Sequence, residues 1–191
     1  MAKGLNNETI LEAAIQLVVE KGYDNFSLRE LASRLEVKPA SLYNHVSGVD
    51  EITEAVAMYA AGELRKSLEA TVQGKEPDQA FADAAFAYLA YARQNPELYK
   101  SLIRMRKSPN DRIARAAYDC CEPIRRVIRS YGASPEENLH FFRSLRAFMH
   151  GFITLTENGF MQKGADPQET YSIVIRCILE KLKECGSHGK E

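Results

Sequence analysis

The sequence predicts an all-α protein of about nine helices, and three observations support this prediction. Apolar residues recur at spacings of three and four, as they do on one face of an α-helix. No run of β-branched residues alternates with polar ones, so no strand is predicted. Helix starts are marked by a polar residue, a proline and carboxylates in the first turn. This signature occurs at 95–97, 108–111, 134–137 and 166–169.

The N-terminal region is predicted to hold three short helices. The first carries the apolar stripe Ile10, Ala14, Leu17 and Val18 and ends at Gly22. A capping box formed by Ser27 and Glu30 opens the second helix, which runs to Leu35, because each side chain can satisfy the other's free backbone N–H. The third helix is predicted over 39–46. Further helices are predicted over about 50–72, 77–94, 96–106, 109–131, 135–160 and 167–184, with a frayed tail at 186–191.

Composition indicates an ordinary globular chain. Of the 191 residues, 45% are hydrophobic and 27% charged, which is enough apolar material for a buried core. The net charge of −1 lacks the strong positive balance of many nucleic-acid-binding proteins. No signal peptide and no membrane-length apolar run is apparent, so we expect a soluble cytoplasmic protein.

Chemistry-bearing motifs are scarce. Cys120, Cys121, Cys177 and Cys185 lack C-x-x-C spacing, so free thiols are expected, and the adjacent pair is not expected to bridge. No zinc-binding His-Glu-x-x-His, nucleophile elbow or phosphate-binding glycine loop is present. The sequence therefore predicts neither an enzyme nor a metal or cofactor site.

The segment 27–46 fits a helix-turn-helix. Its apolar positions predict a shared core, with Val37 at the corner and the third helix anchored by Leu42 and Val46. A short helix pair joined by a turn of roughly three to four residues can place its second helix in the major groove of DNA. The core positions of the second helix are Leu28, Leu31, Ala32 and Leu35.

Charge supports this interpretation only locally. Residues 1–50 hold five cations and seven anions, a net charge of −2 that disfavours DNA. Yet residues 37–49 contain no carboxylate and carry Lys38 and several hydrogen-bonding side chains, as a phosphate backbone requires. An uncharged, solvated corner is the alternative.

Residues 7–64 resemble the DNA-binding domain of the TetR family of transcriptional regulators. The most specific part of the pattern is Leu42-Tyr43-x-His45-Val46, preceded by Phe26-Ser27-Leu28-Arg29-x-Leu31-Ala32. The resemblance implies a DNA-binding domain at 5–64 and a C-terminal ligand-binding and dimerisation domain at 65–185. It further implies a homodimeric repressor that binds a near-palindromic double-stranded operator and is released by a small-molecule effector.

The resemblance also implies DNA contacts. Lys38, Ala40, Ser41 and Asn44 would face the groove, and Tyr43 and His45 would meet phosphates. Ser27 would cap the second helix beside phosphate, and Arg29 would reach a phosphate or a base edge. Packing of Tyr43 on the first helix and a merely solvated His45 stay open.

Three departures from the family pattern put DNA affinity in doubt. Glu36 stands where the turn usually has glycine, which costs up to about 1 kcal/mol. Lys38 precedes the third helix where serine or threonine is usual. The fourth helix lacks the usual lysine near Val49.

The segment 143–160 is apolar on nearly every side, which is typical of a helix buried all round. Gly151 in mid-helix predicts close approach of a second helix, and His150-Gly151 resembles a known C-terminal subclass of the family. With the last helix, this segment would form half of a four-helix bundle across a two-fold axis. The predicted interface comprises Phe148, Phe152, Leu155, Ile173, Cys177, Ile178 and Leu182.

The resemblance implies an effector cavity in the C-terminal part. Arg146 and His150, one helical turn apart, would meet a polar or anionic ligand, or else satisfy Glu157 at the interface. Ordinary core packing is the alternative for every candidate. The candidates are Phe86, Tyr91, Tyr99, Leu102, Met105, Tyr118, Phe142, Arg146, Met149 and His150.

Two matters stay open. Residues 104–129 hold eight cations and three anions, which indicates a solvated face, an anionic effector or added attraction for DNA. The alternative function is a ligand-binding or protein-interaction helical dimer with weak or no DNA binding, and an activator fits the sequence as well as a repressor.

Overall fold

Ten α-helices form the regular structure of the described residues, 5–104 and 111–188, in a computed structural model of the chain; no strand lies among those residues. The all-α prediction is confirmed. The helices are α1 (Asn7–Lys21), α2 (Leu28–Arg34), α3 (Pro39–Leu42), α4 (Val49–Val72), α5 (Pro77–Gln94), α6 (Pro96–Ile103), α7 (Asp111–Asp119), α8 (Glu122–Arg129), α9 (Pro135–Glu157) and α10 (Pro167–His188).

Side-chain caps set several helix starts. Ser27 and Glu30 form the predicted capping box of α2, and Ser134 and Glu137 form one at α9. The Asp166 carboxylate accepts from the Gln168 N–H at 2.9 Å at the start of α10. The cap predicted at Asn95 is wrong, since the Asn95 side chain makes no capping hydrogen bond. Of the predicted start signals at this position, Pro96 does occupy the first position of α6. The start predicted at 108–110 lies outside the described residues.

The single helix predicted over 109–131 is wrong, because Cys120 and Cys121 form a turn between α7 and α8. Pro123, two residues after Cys121, supplies the reason. Its ring clashes with the carbonyl four residues earlier and it has no N–H to donate, so a helix cannot continue through it unbroken.

The last helix is longer than predicted. It runs to His188, so the fraying expected at 186–188 is wrong, and 189–191 lie outside the described residues. Gly186 is buried there, and a Cβ on it would lie 2.1 Å from the Tyr131 carbonyl oxygen. Only glycine permits this close approach of helix and backbone.

Contacts divide the chain into two compact units. Unit 1 comprises Met1–Glu63 and Gln94–Asp119, and unit 2 comprises Leu64–Arg93 and Cys120–Glu191. Unit 1 thus combines the N-terminal helices with α6 and α7, whereas a single boundary was predicted at 64/65. That predicted domain boundary stays a prediction.

Each unit has an apolar core. In unit 1, residues of α1, α2, α3, α4 and α6 pack together, among them Leu17, Leu31, Leu42, Val56 and Leu98. In unit 2, the fully buried Tyr171 packs against the rings of Phe86, Phe148 and Phe152, and its hydroxyl donates to the Ala85 carbonyl at 2.7 Å. Among the described helices, none has the length and apolar character to cross a membrane.

Candidate nucleic-acid interface

The turn between α2 and α3 is closed by two backbone hydrogen bonds. The Val37 N–H donates to the Ala32 carbonyl at 3.0 Å, and the Glu36 N–H donates to the Ser33 carbonyl at 3.1 Å. This pair of bonds defines a Schellman motif, which satisfies the last carbonyls of a helix and reverses the chain sharply. It fixes the direction in which α3 leaves α2.

The motif requires a left-handed residue, and Glu36 occupies that position with φ 56°. It is the only non-glycine residue with positive φ among the described residues. Glycine is usual at this position because a Cβ crowds the following carbonyl there. The departure noted in the sequence therefore has a direct backbone consequence.

One side of helix α3 is anchored in the protein core, and the opposite side is exposed to solvent. Leu42 is fully buried and Val46 nearly so, both in the core of unit 1. On the other side Lys38, Ala40, Asn44 and His45 are exposed, and Tyr43 is 57% exposed. Ser41 is half-buried, and Ser27 and Arg29 are exposed on α2. The structure thus presents the predicted DNA contacts on surface positions, while their roles stay predictions.

The third helix is shorter than predicted, ending at Leu42 rather than Val46. Lys38 makes no side-chain cap, so the start of the helix is weakly held. Beyond Leu42 the chain tightens, since the N–H groups of Asn44 and His45 donate to carbonyls three residues earlier. The tightened turn returns Val46 to the core.

A carboxylate closes the start of α4. The Glu51 carboxylate accepts from the Ser47 N–H at 2.7 Å and from the Ser47 hydroxyl at 2.8 Å. These hydrogen bonds lower the pKa of Glu51. A negative group therefore holds this helix start, where the family pattern has a lysine.

Other carboxylates of the first fifty residues are matched by cations. Arg34 makes a two-nitrogen ion pair with Glu20, which lowers the pKa of Glu20. Lys21 Nζ lies 3.7 Å from a Glu30 oxygen. Because all four partners are already counted in the net charge of −2 for residues 1–50, these pairs leave that sum unchanged, and they involve residues outside α3.

Residues at and after α6 bind the segment that directly follows α1. These contacts were not predicted from the sequence. The Tyr23 N–H donates to the Glu97 carboxylate at 2.6 Å. Asp24 pairs with Lys100 at 2.8 Å and with Arg104, and the hydrogen bond from Lys100 is the first cause that lowers the pKa of Asp24. These partners lie more than 70 residues apart in sequence, and no local pattern announces them.

The predicted effector residues divide between the units. Tyr99, Leu102 and Tyr118 belong to unit 1, where Tyr99 is buried and Tyr118 is 50% exposed. The others belong to unit 2, and Met105 lies outside the described residues. Within unit 2, Tyr91, Phe142 and Met149 are buried, while Phe86, Arg146 and His150 are half-buried. Their ligand role stays a prediction.

Arg125 and the thiols of Cys120 and Cys121 are buried polar groups of unit 2. Arg125 donates to Glu122 through Nε at 2.8 Å and lies 5.4 Å from the centre of the Phe142 ring. The Cys120 and Cys121 sulfurs are 3.7 Å apart. The hydrogen bond between them lowers the pKa of Cys120, which Arg146 and Arg125 lower further, and raises the pKa of Cys121.

His150 lies on α9, one helical turn after Arg146. Burial is the main cause that lowers its pKa, and the charge of Arg146 lowers it further. Arg146 therefore acts electrostatically on both the thiol pair and His150. Among the described residues, no group of three His, Cys, Asp or Glu side chains is placed to hold a metal ion.

Four of the eight cations in the basic segment 104–129 form ion pairs, while Arg106 and Lys107 lie outside the described residues. Arg125 and Arg129 both pair with Glu122, and Arg126 pairs with Glu69 at 2.7 Å. Arg104 is held by Asp24. Half of these cations therefore pair with carboxylates of the chain itself.

The predicted dimer residues lie in two environments. Leu155, Ile173 and Cys177 are exposed, and Phe148 and Ile178 are half-buried. Phe152 and Leu182 are buried within the protomer's own core. Around Gly151 no described atom lies within 4 Å of an added Cβ, so the space there is open in the single chain.

Comparison with known protein families gives two matches. Residues 10–56 match the family described as "Bacterial regulatory proteins, tetR family". Residues 81–178 match the family described as "Tetracyclin repressor-like, C-terminal domain". The second match alone spans about half of the chain and covers most of the C-terminal helices.

Individual proteins agree with the family matches. The chain is 28% identical over 180 residues to the uncharacterized HTH-type transcriptional regulator YobS of Bacillus subtilis, covering 94% of this chain and 93% of YobS. A Rhodococcus sp. RHA1 protein of unknown function has the same fold, with a TM-score of 0.80 at 22% identity, covering 95% and 97%. So does a TetR variant from Acinetobacter baumannii in complex with minocycline, with a TM-score of 0.70 at 16% identity, covering 94% and 97%.

Proposed function

Because the chain belongs to the TetR family of DNA-binding transcriptional regulators, we propose that its α2–α3 unit reads a near-palindromic operator through the surface from Lys38 to His45. In this family a ligand-binding domain follows the DNA-binding unit in the chain, and ligand binding controls repression. The observation that supports the assignment is the anchoring of α3 by Leu42 and Val46, which leaves its polar side chains exposed.

Each exposed side chain suits a different part of the duplex. Asn44 can bond two edge atoms of adenine, and Ala40 is small enough to meet a thymine methyl group. Lys38 attracts phosphate or guanine, and Tyr43 and His45 are placed to donate to phosphates. Ser27 and Arg29, exposed on α2, add contacts to the backbone. Phosphate contacts fix the position on DNA, and Asn44 with Ala40 provides sequence discrimination.

We propose that α9 and α10 pair across a two-fold axis. The exposed side chains of Leu155, Ile173 and Cys177 are apolar or weakly polar, which suits burial against a second copy. In such a dimer the two α3 helices would sit about 34–36 Å apart, one turn of the double helix. The operator would then repeat its half-sites with that spacing, in the cytoplasm where bacterial DNA is read.

The effector would act through that spacing. A small molecule that binds better to a dimer with a different distance between its α3 helices shifts the population away from the DNA-binding state. Repression then ends when the ligand is present. The half-buried Arg146 and His150 of α9 are the polar groups we assign to ligand recognition.

The test uses duplexes selected from a random pool by the purified chain. Fluorescence anisotropy against salt should show affinity that falls steeply as salt rises. Lys38→Ala should reduce the logarithmic salt slope by about 1 on all sequences. Asn44→Ala should cost about 1–3 kcal/mol on the selected duplex and little on a scrambled one.

Lys163→Ala is the matched control for charge. It removes one exposed lysine from the loop between α9 and α10, outside unit 1, and should leave both readouts unchanged. If no duplex is enriched and binding stays absent at low salt, the helical dimer without DNA binding becomes the function to pursue. Equal losses in Lys38→Ala and Lys163→Ala would also contradict the assignment.

A further inference from the structure

Two thiols stand side by side at the turn between α7 and α8. Cys120 and Cys121 have their sulfurs 3.7 Å apart, and the residues are only 5% and 1% exposed. Neither takes part in a disulfide. Both cysteines belong to unit 2.

Adjacent cysteines are poorly placed to bond to each other. Their Cα atoms are about 3.8 Å apart across a trans peptide, below the roughly 4.4–6.8 Å that disulfides span. A disulfide would also need the sulfurs to close from 3.7 Å to about 2.05 Å. The pair is therefore arranged as two thiols held in parallel rather than as a latent disulfide.

The same separation suits a single bridging atom. Two bonds of about 2.3 Å, the length of a zinc–thiolate bond, meeting at a tetrahedral angle place the sulfurs about 3.8 Å apart. A linear two-coordinate ion would need about 4.6 Å from the same bond length. From their contact distance of 3.7 Å the two sulfurs would need to move little to bind one bent centre, whereas a linear centre would require them to separate.

The residues around the two thiols limit which kind of metal ion or atom could bind between them. Soft thiolate ligands select soft, thiophilic centres. A metal ion that needs three or four protein ligands is disfavoured, because no third His, Cys, Asp or Glu joins the pair within the described part of the chain. A three-coordinate atom that already carries one substituent needs only two thiols from the protein. Trivalent arsenic bonded to one organic group is such an atom.

We propose that Cys120 and Cys121 chelate an organic trivalent arsenical, and that this class of compound is an effector of the chain. With phenylarsine oxide, two As–S bonds form and the arsenic–oxygen bond breaks. Both thiol protons leave with that oxygen as water, and no atom changes oxidation state. The two cysteines belong to the same unit as Arg146 and His150, the residues already assigned to the effector.

Binding is tested on the full purified chain with phenylarsine oxide as probe and native mass spectrometry as readout. One arsenical per chain is expected, resistant to excess monothiol and removed by a dithiol. Cys120→Ser and Cys121→Ser should each abolish it, and the corresponding alanine variants guard against a serine variant that fails to fold. The double variant Cys177→Ser with Cys185→Ser keeps the pair and should bind fully.

Two results would overturn the site. One is an adduct that persists in Cys120→Ser but disappears in the Cys177/Cys185 double variant. The other is loss of two hydrogens from the pair, showing a disulfide in place of the adduct. A bulky anionic disulfide reagent should modify the exposed Cys177 first, because the pair is buried.

The effector role rests on the proposed function and has its own readout. Phenylarsine oxide should weaken binding to the selected duplex by roughly 5- to 150-fold, the usual range of coupling between two sites. The Cys120→Ser variant should bind DNA normally and lose this response. An adduct that leaves DNA affinity unchanged would overturn the effector role. A chain that never binds DNA would refute the proposed function, while mass spectrometry would still decide the site.

Discussion

Replacing Glu36 by glycine should stabilise the chain, because the backbone at this position is left-handed. With φ 56°, the Glu36 Cβ crowds the next carbonyl, which costs about 1–2 kcal/mol. Glycine avoids that cost but gives back about 0.5–1 kcal/mol through the greater freedom of the unfolded chain. The balance is a gain in unfolding free energy of roughly 0–1.5 kcal/mol, with a central value near 0.8 kcal/mol.

Glu36→Ala is the matched control. Both variants remove the same exposed carboxylate, but alanine keeps the Cβ and therefore the strain. The melting temperature of Glu36→Gly, followed by circular dichroism at 222 nm, should exceed that of Glu36→Ala by about 2–4 °C per kcal/mol. Both variants should bind DNA somewhat more tightly, and equally so, since each removes one negative charge beside α3.

A glycine variant that melts at or below the alanine variant would refute the reasoning. It would mean that the Schellman turn adapts to a side chain at no cost. A DNA affinity that rises only in Glu36→Gly would separately show that turn geometry, rather than charge, limits binding.

Three further predictions concern the fourth helix, the dimer and pH. Val49→Lys, at an exposed position, should tighten DNA binding and steepen the salt slope by about 0.9 in anisotropy titrations, whereas Val49→Gln should not. Gly151→Leu should yield a folded monomer in sedimentation experiments, because its side chain has room in the protomer but not beneath a partner helix; a stable dimer would contradict the bundle. The pKa of Asp78 is lowered by Tyr131 and then Lys183, so its stabilisation is present above about pH 4 and fades as pH falls. Asp78→Asn should therefore melt lower than the parent chain at pH 7, and the difference should shrink as the pH is lowered below about 4; a difference that stays constant over that range would be contradictory.

Local chemistry explains what the sequence predicted. The capping boxes at Ser27 and Ser134 depend on residues three positions apart, so they can be read directly. The anchoring of α3 follows from Leu42 and Val46, one turn apart on an otherwise polar segment. These local rules account for the helix-turn-helix and for the exposure of its candidate contacts.

Long-range contacts explain what the sequence did not predict. The bonds from α6 to Tyr23 and Asp24 join residues brought together only by the fold. Phe152 is buried in its own protomer because Tyr171, on another helix, packs against its ring. The apolar periodicity predicts that such a residue is buried. It does not show whether the residue is buried by its own chain or by a partner chain.

Operator recognition by this protein depends most on two copies of α3 lying in successive major grooves. Hydroxyl-radical footprinting of the full chain on a selected duplex measures this directly. We expect two protected regions centred about 10–10.5 base pairs apart and related by two-fold symmetry. A single protected region, or protection without preference for the selected sequence, would contradict it.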